Sequence, residues 1–436
     1  MHNGRALFWR NILAEHQAVV DEKGGVMLQP EADCRAWARR STVVSFTLII
    51  LMAVFSFLAS VSQPAQSQTY KIIHNFTNMG EDGATPYGGP VLDASGNLYG
   101  TTYLGGTYGN GSVYQLSPSG SDWKYSSLYS FKFLPDGAGP AFGTLAIGPN
   151  GALFGTTEGG GFFGTTFEIC SCRTPELEVH KFGFGTDGAQ PIGGVVFDAA
   201  GNFYGTTSLG GAYGNGTVFE EKRSGSRWTE SVIYSFTGGD DGTSPPAGVT
   251  VDAQGNLYGT TSFGGANGIG VVYELSPSGS GWTQTVLYTF RGRRDGDYPV
   301  GGVVLDQAGN LYGTTFDGGV NGGGVVYKLS PSGTGWKFKT LHSFTGAYGG
   351  PYNKLTLANG NIYGATEAGG ANGLGSVFKL APAKHGWTFT NLYDFVGGSE
   401  GAQPYGSVAV DSNGNVFGTA NTGGSRNQGV VFEITP

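Results

Sequence analysis

The stretch Gly96-Asn-Leu-Tyr-Gly-Thr-Thr102 decides the fold, because it returns six more times along the chain. The later copies, with some variation, begin at Gly151, Gly201, Gly255, Gly309, Gly360 and Gly414. Successive copies lie 50 to 55 residues apart, so the chain carries seven units. A fixed period of this length indicates a repeat architecture in which each unit is one supersecondary element.

Each unit contains four short runs of β-branched and aromatic residues, separated by clusters of Gly, Pro, Asn or Ser. In the unit around Gly255 the predicted strands are 248–252 (A), 256–261 (B), 271–276 (C) and 282–290 (D). No run in this part of the chain follows the 3.6-residue period of a helix. The sequence therefore predicts an all-β protein, a seven-bladed β-propeller of four-stranded antiparallel blades.

The two ends of the repeat region predict how the ring closes. The seventh unit stops at Pro436, directly after its strand C, and so lacks a strand D. A segment with the strand D pattern, 70–76, lies ahead of the first unit. We expect this N-terminal strand to complete the C-terminal blade, with Ile72 and Ile73 close to Val430 and Phe432, because closure removes unpaired sheet edges.

Residues 1–69 form a predicted leader. Arg39 and Arg40 precede an apolar run, 43–58, as in a signal peptide. An uncleaved signal anchor is the alternative, since the run is close to the length that spans a bilayer. Met27 is a possible start, which would shorten the leader. In either case the propeller domain, 70–436, is expected outside the cytoplasm, secreted, periplasmic or at the cell surface, and in contact with a membrane only through an uncleaved leader.

Charge and residue content limit the classes of partner and site that the sequence predicts. The chain has 24 Lys and Arg against 32 Asp and Glu and no basic block, so a nucleic-acid partner is not expected. No catalytic, cofactor or metal motif is recognisable, and none of these is predicted. The three histidines in D strands, at 74, 180 and 342, occupy a position that is tyrosine in other units. Cys170 and Cys172 could form a local disulfide, with free thiols as the alternative. We expect a monomer.

Two repeated features are predicted to be structural. Five aspartates stand three residues before the glycine of the A–B turn, where they are expected to cap the turn: Asp93, Asp198, Asp252, Asp306 and Asp411. Five tryptophans begin D strands and are expected to pack between blades: Trp123, Trp228, Trp282, Trp336 and Trp387. A residue kept at one position in five of the seven units fits a structural role better than ligand binding.

Carboxylates recur in the D–A loops, which share one face of the ring with the B–C loops. They are Asp82, Asp136, Asp187, Asp241, Asp295 and Glu400, while the sixth unit has Tyr348-Gly-Gly-Pro351 instead. A ring of carboxylates could bind cations or polar ligands. The alternative is that each Asp-Gly pair only makes its own turn.

The B–C loops vary most between units and carry aromatic side chains among glycines. The candidates are Tyr103, Tyr108, Phe162, Phe163, Tyr213, Phe263 and Phe316. Exposed aromatic rings can stack on sugar rings or peptide groups, so this loop face is the predicted binding surface.

The composite motif resembles a known family. Asp-x-x-Gly-Asn-Leu-Tyr-Gly-Thr-Thr, then Gly-x-Val-Tyr-x-Leu-Ser-Pro and Trp…Leu-Tyr-Ser-Phe, is similar over residues 70–436 to the tandem repeat of the choice-of-anchor GloVer proteins, the Gloeobacter–Verrucomicrobia repeat. The resemblance implies an exported bacterial repeat protein and no particular activity. The chain ends at its last repeat, so no C-terminal anchor is predicted.

Three functions fit these observations. The first is a binding or scaffold module for a glycan or an envelope protein. The second is an enzyme acting on polysaccharide, a lyase or glycoside hydrolase, with two of the D–A loop carboxylates as acid and base. The third is a purely structural envelope component. Two carboxyl groups about 5 to 10 Å apart in a cleft would favour the enzyme, whereas side chains folded onto their own turns would not.

Overall fold

The computed structural model describes residues 68–140, 142–170, 177–225, 227–346 and 349–436. The predicted leader, including 43–58, lies outside them, apart from residues 68 and 69. In chain order the elements are β1 (Thr69–Asn75), β2 (Gly83–Ala84), β3 (Val91–Leu92), β4 (Leu98–Thr102), β5 (Leu104–Gly105), β6 (Ser112–Ser119), β7 (Asp122–Ser130), β8 (Ala146–Ile147), β9 (Leu153–Thr157), β10 (Thr165–Ile169), β11 (Leu177–Lys181), β12 (Val196–Phe197), β13 (Phe203–Thr207), β14 (Thr217–Ser224), β15 (Arg227–Ser235), β16 (Thr250–Val251), β17 (Leu257–Thr261), β18 (Val271–Ser278), β19 (Gly281–Thr289), β20 (Val303–Leu305), β21 (Leu311–Thr315), β22 (Gly322–Ser332), β23 (Gly335–Thr345), β24 (Thr356–Ala358), β25 (Asn361–Thr366), β26 (Ser376–Ala383), β27 (Gly386–Asp394), the 3₁₀ turn Gly398–Glu400, β28 (Ala409–Val410), β29 (Val416–Ala420) and β30 (Val430–Thr435).

The strands form seven four-stranded antiparallel sheets, as the repeat predicts. Blade 1 is β3-β4-β6-β7, and blades 2 to 6 follow with four successive strands each, from β8 to β27. Blade 7 has the order β28-β29-β30-β1, so the N-terminal strand is its outer strand. A further two-strand ladder joins β2 and β5. Within the described residues the only helical element is one 3₁₀ turn, and no helix is long and apolar enough to cross a bilayer.

The predicted closure is confirmed. Ile72 pairs with Phe432, and the register then shifts so that His74 pairs with Val431. The N–H of Phe76 donates to the carbonyl oxygen of Gly429 at 3.1 Å, which continues the contact beyond the strand. The blade that joins the two ends of the domain is therefore held by a full antiparallel ladder.

Strand D carries a β-bulge in every blade. The residue that the register skips is apolar each time: Ile73, Leu128, Val179, Ile233, Leu287, Leu341 and Leu392. A bulge increases the local twist of a strand. Its recurrence at one position turns each outer strand in the same way.

The hydrophobic core lies between neighbouring blades. Trp123 at the start of strand D in blade 1 meets Phe417 of blade 7 edge to face, with ring centroids 5.6 Å apart. Trp228, Trp282, Trp336 and Trp387 contact aromatic rings of the preceding blade in the same way. The predicted inter-blade role of these tryptophans is confirmed.

Aromatic stacking along the outer strands explains the D-strand histidines. His74 stacks on Tyr125 of the next blade at 4.2 Å, and His342 stacks on Phe389 at 3.9 Å. Tyr288 stacks on a phenylalanine in the equivalent place. Both imidazoles therefore substitute for tyrosine, and burial lowers the pKa of His342.

The predicted turn caps are confirmed as well. In blade 1, Asp93 Oδ1 accepts hydrogen bonds from the N–H groups of Ser95 and Asn97, both at 2.8 Å. Its Oδ2 accepts from the Asn97 amide and the Tyr99 hydroxyl. Burial alone would raise the pKa of Asp93, but these hydrogen bonds outweigh it and lower the pKa. The other four caps also accept two backbone N–H groups, which leaves them committed to the fold.

Glycines let the blades meet at the centre of the ring. A Cβ atom at Gly248, just before strand A of blade 4, would lie 1.9 Å from the carbonyl oxygen of Gly194 in blade 3. At Gly89 the same atom would lie 1.9 Å from the carbonyl oxygen of Ser407. The approach of adjacent innermost strands therefore requires residues without a side chain.

Candidate functional site

The D–A loop carboxylates are folded back onto their own loops. Asp295, 9% exposed, accepts hydrogen bonds from the Tyr288 hydroxyl at 2.6 Å and the Arg291 N–H at 3.1 Å. Asp241 accepts from Tyr234 and Thr237 in the same way. The loop aspartates thus close their turns and tie them to the outer strand.

The remaining carboxylates of this set are engaged similarly. Asp136 accepts from the Tyr129 hydroxyl, and Glu400 from the Tyr393 hydroxyl. Asp187 Oδ2 accepts from the Gly183 N–H at 2.9 Å. Asp82 accepts from both the N–H and the hydroxyl of Thr77. Burial would raise the pKa of Asp82, but hydrogen bonds from His74 and Thr77 outweigh it and lower the pKa. Each carboxylate is bonded within its own blade, the arrangement that does not favour an acid–base pair.

The predicted B–C loop aromatics divide into separate groups. The most exposed are Phe162 at 84% and Tyr213 at 62%. Tyr108 has the Lys132 Nζ 5.6 Å from its ring centroid, and Phe263 packs edge to face on Tyr298. The structure does not bring all seven candidates together, so they do not form one continuous site.

Three of the candidates do meet, in a groove between blades 1 and 2. Tyr103, Phe162 and Phe163 line this space of about 420 Å³. Phe133, also exposed, lies in the wall, and polar groups are supplied by Asn110, Glu158 and Gln190. We name this space the blade 1–2 groove. It places apolar ring faces beside a carboxylate and two amides.

The backbone at the groove is unusual. Phe162 has φ 146°, a region that side chains other than glycine rarely adopt. Neighbouring glycines make the loop possible: a Cβ at Gly160 would lie 2.4 Å from the Gly137 Cα. The loop therefore holds an exposed ring on a strained backbone, a combination that is often associated with function.

A second aromatic group, which the sequence analysis missed, lies at the mouth of the central channel. Tyr87, Phe142, Tyr352 and Tyr405 come from blades 1, 2, 6 and 7, and Phe142 has its ring centroid 5.2 Å from those of Tyr87 and Tyr352. We name these four residues the channel-mouth cluster. Tyr103 packs edge to face on Tyr87 at 5.3 Å, so the cluster is continuous with the blade 1–2 groove.

Two glutamates accompany the channel-mouth cluster. Glu367 accepts a hydrogen bond from the Tyr405 hydroxyl, and burial raises the pKa of its carboxyl group. Glu158 lies beside Tyr103, whose pKa is raised by burial and then by this carboxylate. The rim of the channel mouth is therefore aromatic and acidic.

Lys354 occupies the channel below this rim. A cavity of about 130 Å³ is bordered by the starts of the A strands of blades 2 to 6, including Lys354. Its Nζ donates to the Val249 carbonyl oxygen of blade 4 at 3.3 Å, so the side chain crosses the channel. Burial lowers its pKa to about 8. Other blades have glycine or small residues here, and this departure was visible in the sequence.

The remaining predicted residues have simpler outcomes. Phe316 packs edge to face on Tyr352, beside the channel mouth. Cys170 is disulfide-bonded, while Cys172 lies outside the described residues, so their pairing stays a prediction. Within the described part of the chain no three acidic, histidine or cysteine side chains form a metal site.

The fold and its repeated loops define a seven-bladed β-propeller built from tandem repeats. The model of the Gloeobacter/Verrucomicrobia repeat matches residues 59–250, 163–304 and 246–436, and the chain belongs to this family. The resemblance seen in the sequence motifs is thereby confirmed. No curated protein matches the chain.

Several solved structures are distantly similar. A protein of unknown function from Dyadobacter fermentans is 11% identical with a TM-score of 0.47, covering 85% of this chain and 99% of that one. A puromycin-hydrolyzing peptidase from Mycobacterium tuberculosis is 13% identical with a TM-score of 0.46, covering 78% and 51%. A candidate 6-phosphogluconolactonase from Bacteroides uniformis is 12% identical with a TM-score of 0.48, covering 75% and 96%. No functional conclusion rests on these similarities.

Proposed function

We propose that the protein is a binding module that takes carbohydrate in the blade 1–2 groove. The observation that carries the proposal is the groove itself, where three exposed phenylalanine rings stand next to Asn110, Glu158 and Gln190. A sugar ring has one apolar face and many hydroxyl groups. Aromatic faces can stack on the first, and carboxylate and amide groups can hydrogen-bond to the second.

The channel-mouth cluster extends this surface. Because Tyr103 borders the groove and also contacts Tyr87, a chain of sugar units could pass from the groove across the channel mouth. The carboxylates that the polysaccharide-acting enzyme would need are bonded to their own loops, so that alternative has no support from their arrangement. The proposal includes export of the protein through its leader and a monomeric state of the propeller.

The test compares binding of bacterial polysaccharides and an oligosaccharide array to the purified protein and its variants. We expect Phe162→Ala to weaken binding about tenfold, which corresponds to roughly 1.4 kcal/mol. Glu158→Gln should weaken it by a similar factor. Tyr213→Ala is the matched control, since Tyr213 is a 62% exposed aromatic of the equivalent loop of blade 3 and lies outside the groove.

Two outcomes would reject the proposal. If Phe162→Ala and Tyr213→Ala bind carbohydrate as tightly as the unaltered protein, the groove is not the binding site. If no carbohydrate binds, while an envelope protein free of glycan is retained and Phe162→Ala releases it, the surface serves a protein partner instead.

A further inference from the structure

The packing interface between blades 2 and 3, which we call the blade 2–3 seam, has polar residues at positions that are apolar in the equivalent interfaces of other blades. Glu221 of strand C in blade 3 is 0% exposed. Its position in the other blades holds only leucine or isoleucine: Leu116, Ile169, Leu275, Leu329, Leu380 and Ile434. A fully buried carboxyl group has replaced a core aliphatic side chain in one blade.

Two neighbours of Glu221 are also polar at positions where most other blades have apolar or aromatic side chains. Glu230 is its partner across the strand C–strand D ladder, where blades 1, 5, 6 and 7 have tyrosine or phenylalanine. Thr166, which faces Glu221 from blade 2, takes the place of a valine found in the other six blades. Three coordinated changes at one seam have converted an apolar contact into an oxygen-rich one.

The geometry leaves carboxylate oxygens unsatisfied. The Thr166 Oγ1 lies 3.5 Å from the Glu221 Oε1. The Glu221 Oε2 and the Glu230 Oε1 are buried without a hydrogen-bond partner within the described residues. Directly opposed residues of an antiparallel pair have Cβ atoms about 5 Å apart, so the two carboxyl groups face each other. An uncompensated buried charge of this kind is strongly destabilising.

Burial and like charges both disfavour ionisation of this pair. Burial and then the proximity of Glu230 raise the pKa of Glu221 to about 8. Burial and then Asp187 raise the pKa of Glu230 to about 7. His180 lies beside Asp187, with its Nε2 3.6 Å from the Asp187 Oδ2. Glu221 is thus influenced by Glu230, and Glu230 in turn by Asp187.

We propose that Glu221, Glu230 and Thr166 bind a hard divalent cation, with Ca²⁺ as the probe, which links blades 2 and 3. The donor set is oxygen only, as Ca²⁺ prefers, and water can supply further ligands to complete six to eight. Asp187 adds negative charge at longer range. Glu230 is only partly buried, which gives an ion a path from the surface.

The experiment measures thermal unfolding and calorimetric titration of the full protein, stripped with EDTA, as CaCl₂ is added. We expect a saturable rise of the melting temperature in the unaltered protein and at least a tenfold weaker apparent affinity in Glu221→Gln. Glu220→Gln is the matched control. Glu220 lies on the opposite face of the same strand, accepts a hydrogen bond from Tyr204 at 2.9 Å, and should leave the Ca²⁺ response unchanged.

Glu221→Leu tests the site without depending on a destabilised variant. It restores the side chain that other blades carry, so we expect it to fold, to be more stable than the unaltered protein in EDTA, and to show no Ca²⁺ response. A Ca²⁺ response that persists in Glu221→Leu overturns the proposal, because the ion then binds elsewhere. A second result also overturns the proposal: no response up to roughly 10 mM Ca²⁺, about tenfold above the weak end of protein affinities, together with a loss of stability on raising the pH that Glu221→Leu abolishes. The pair then holds a proton only.

Discussion

Replacing Phe76 tests whether the closing strand carries as much energy as a strand inside the chain. Phe76 is 0% exposed and packs edge to face on Tyr114 of blade 1, with ring centroids 5.3 Å apart. Phe290 holds the same repeat position in blade 4, is also 0% exposed, and meets Tyr327 at 5.3 Å. Removing a buried phenylalanine ring costs about 3 to 5 kcal/mol. Because the two environments match, we expect Phe76→Ala and Phe290→Ala to cost the same within about 1 kcal/mol.

The assay is urea unfolding of both variants, followed by amide hydrogen exchange of residues 430–435. These residues pair with β1, so Phe76→Ala should accelerate exchange there, whereas Phe290→Ala should accelerate it in blade 4. The reasoning would be refuted if Phe76→Ala cost less than about 1 kcal/mol while Phe290→Ala cost the full amount. The N-terminal strand would then contribute little to closing the ring.

Three further outcomes are expected. Lys354→Met should stabilise the protein at pH 7 by about 1 to 3 kcal/mol, because the native pKa of about 8 lies below the unfolded 10.5. Between these two pKa values the unfolded state binds more protons than the folded state, so the free energy of unfolding of the unaltered protein should rise from pH 8 to 10.5. That of the variant should not change in this way. Urea unfolding at several pH values checks both expectations. Asp295→Ala should cost about 1 to 3 kcal/mol in the same assay, since it leaves the Tyr288 hydroxyl and the Arg291 N–H without their acceptor; an unchanged midpoint would show that the cap is dispensable. Gly248→Ala should lower the stability by at least about 1 to 3 kcal/mol through overpacking. Gly281→Ala, where a Cβ meets nothing within 4 Å, should change it by no more than about 0.5 kcal/mol. Equal melting temperatures for the two variants would contradict the close approach of Gly248 to blade 3.

The sequence was sufficient to predict the blades and the closing strand because each depends on short-range pattern. Period-two alternation and turn residues locate strands, and seven copies average out local noise. The bulge at Ile73 and its equivalents could not be predicted in this way. A bulge inserts one extra residue into a run that is still apolar and β-branched, so the composition of the run does not reveal it.

The loop-face residues show where sequence reasoning stops. From the sequence alone, Asp295 fits either ligand binding or capping of a turn. Only the positions of Tyr288 and Arg291 show that it accepts hydrogen bonds from its own blade. The channel-mouth cluster was missed because its members lie far apart in the chain and meet only through the circular arrangement. A signal was available, since an aromatic residue follows the D–A loop proline at Tyr87, Tyr352 and Tyr405.

The sevenfold repeat separates structural residues from candidates for function. A side chain kept in most blades, such as the turn-cap aspartate of five of them, is accounted for by folding, because each copy makes the same local hydrogen bonds. A residue that departs from the repeat at a buried position carries a cost that its equivalents avoid. Glu221 and Lys354 are departures of this kind, since desolvation disfavours the charge of each. Such costs are retained in proteins chiefly where they serve a site, so the departures from the repeat, rather than the repeat itself, indicate where this propeller is specialised.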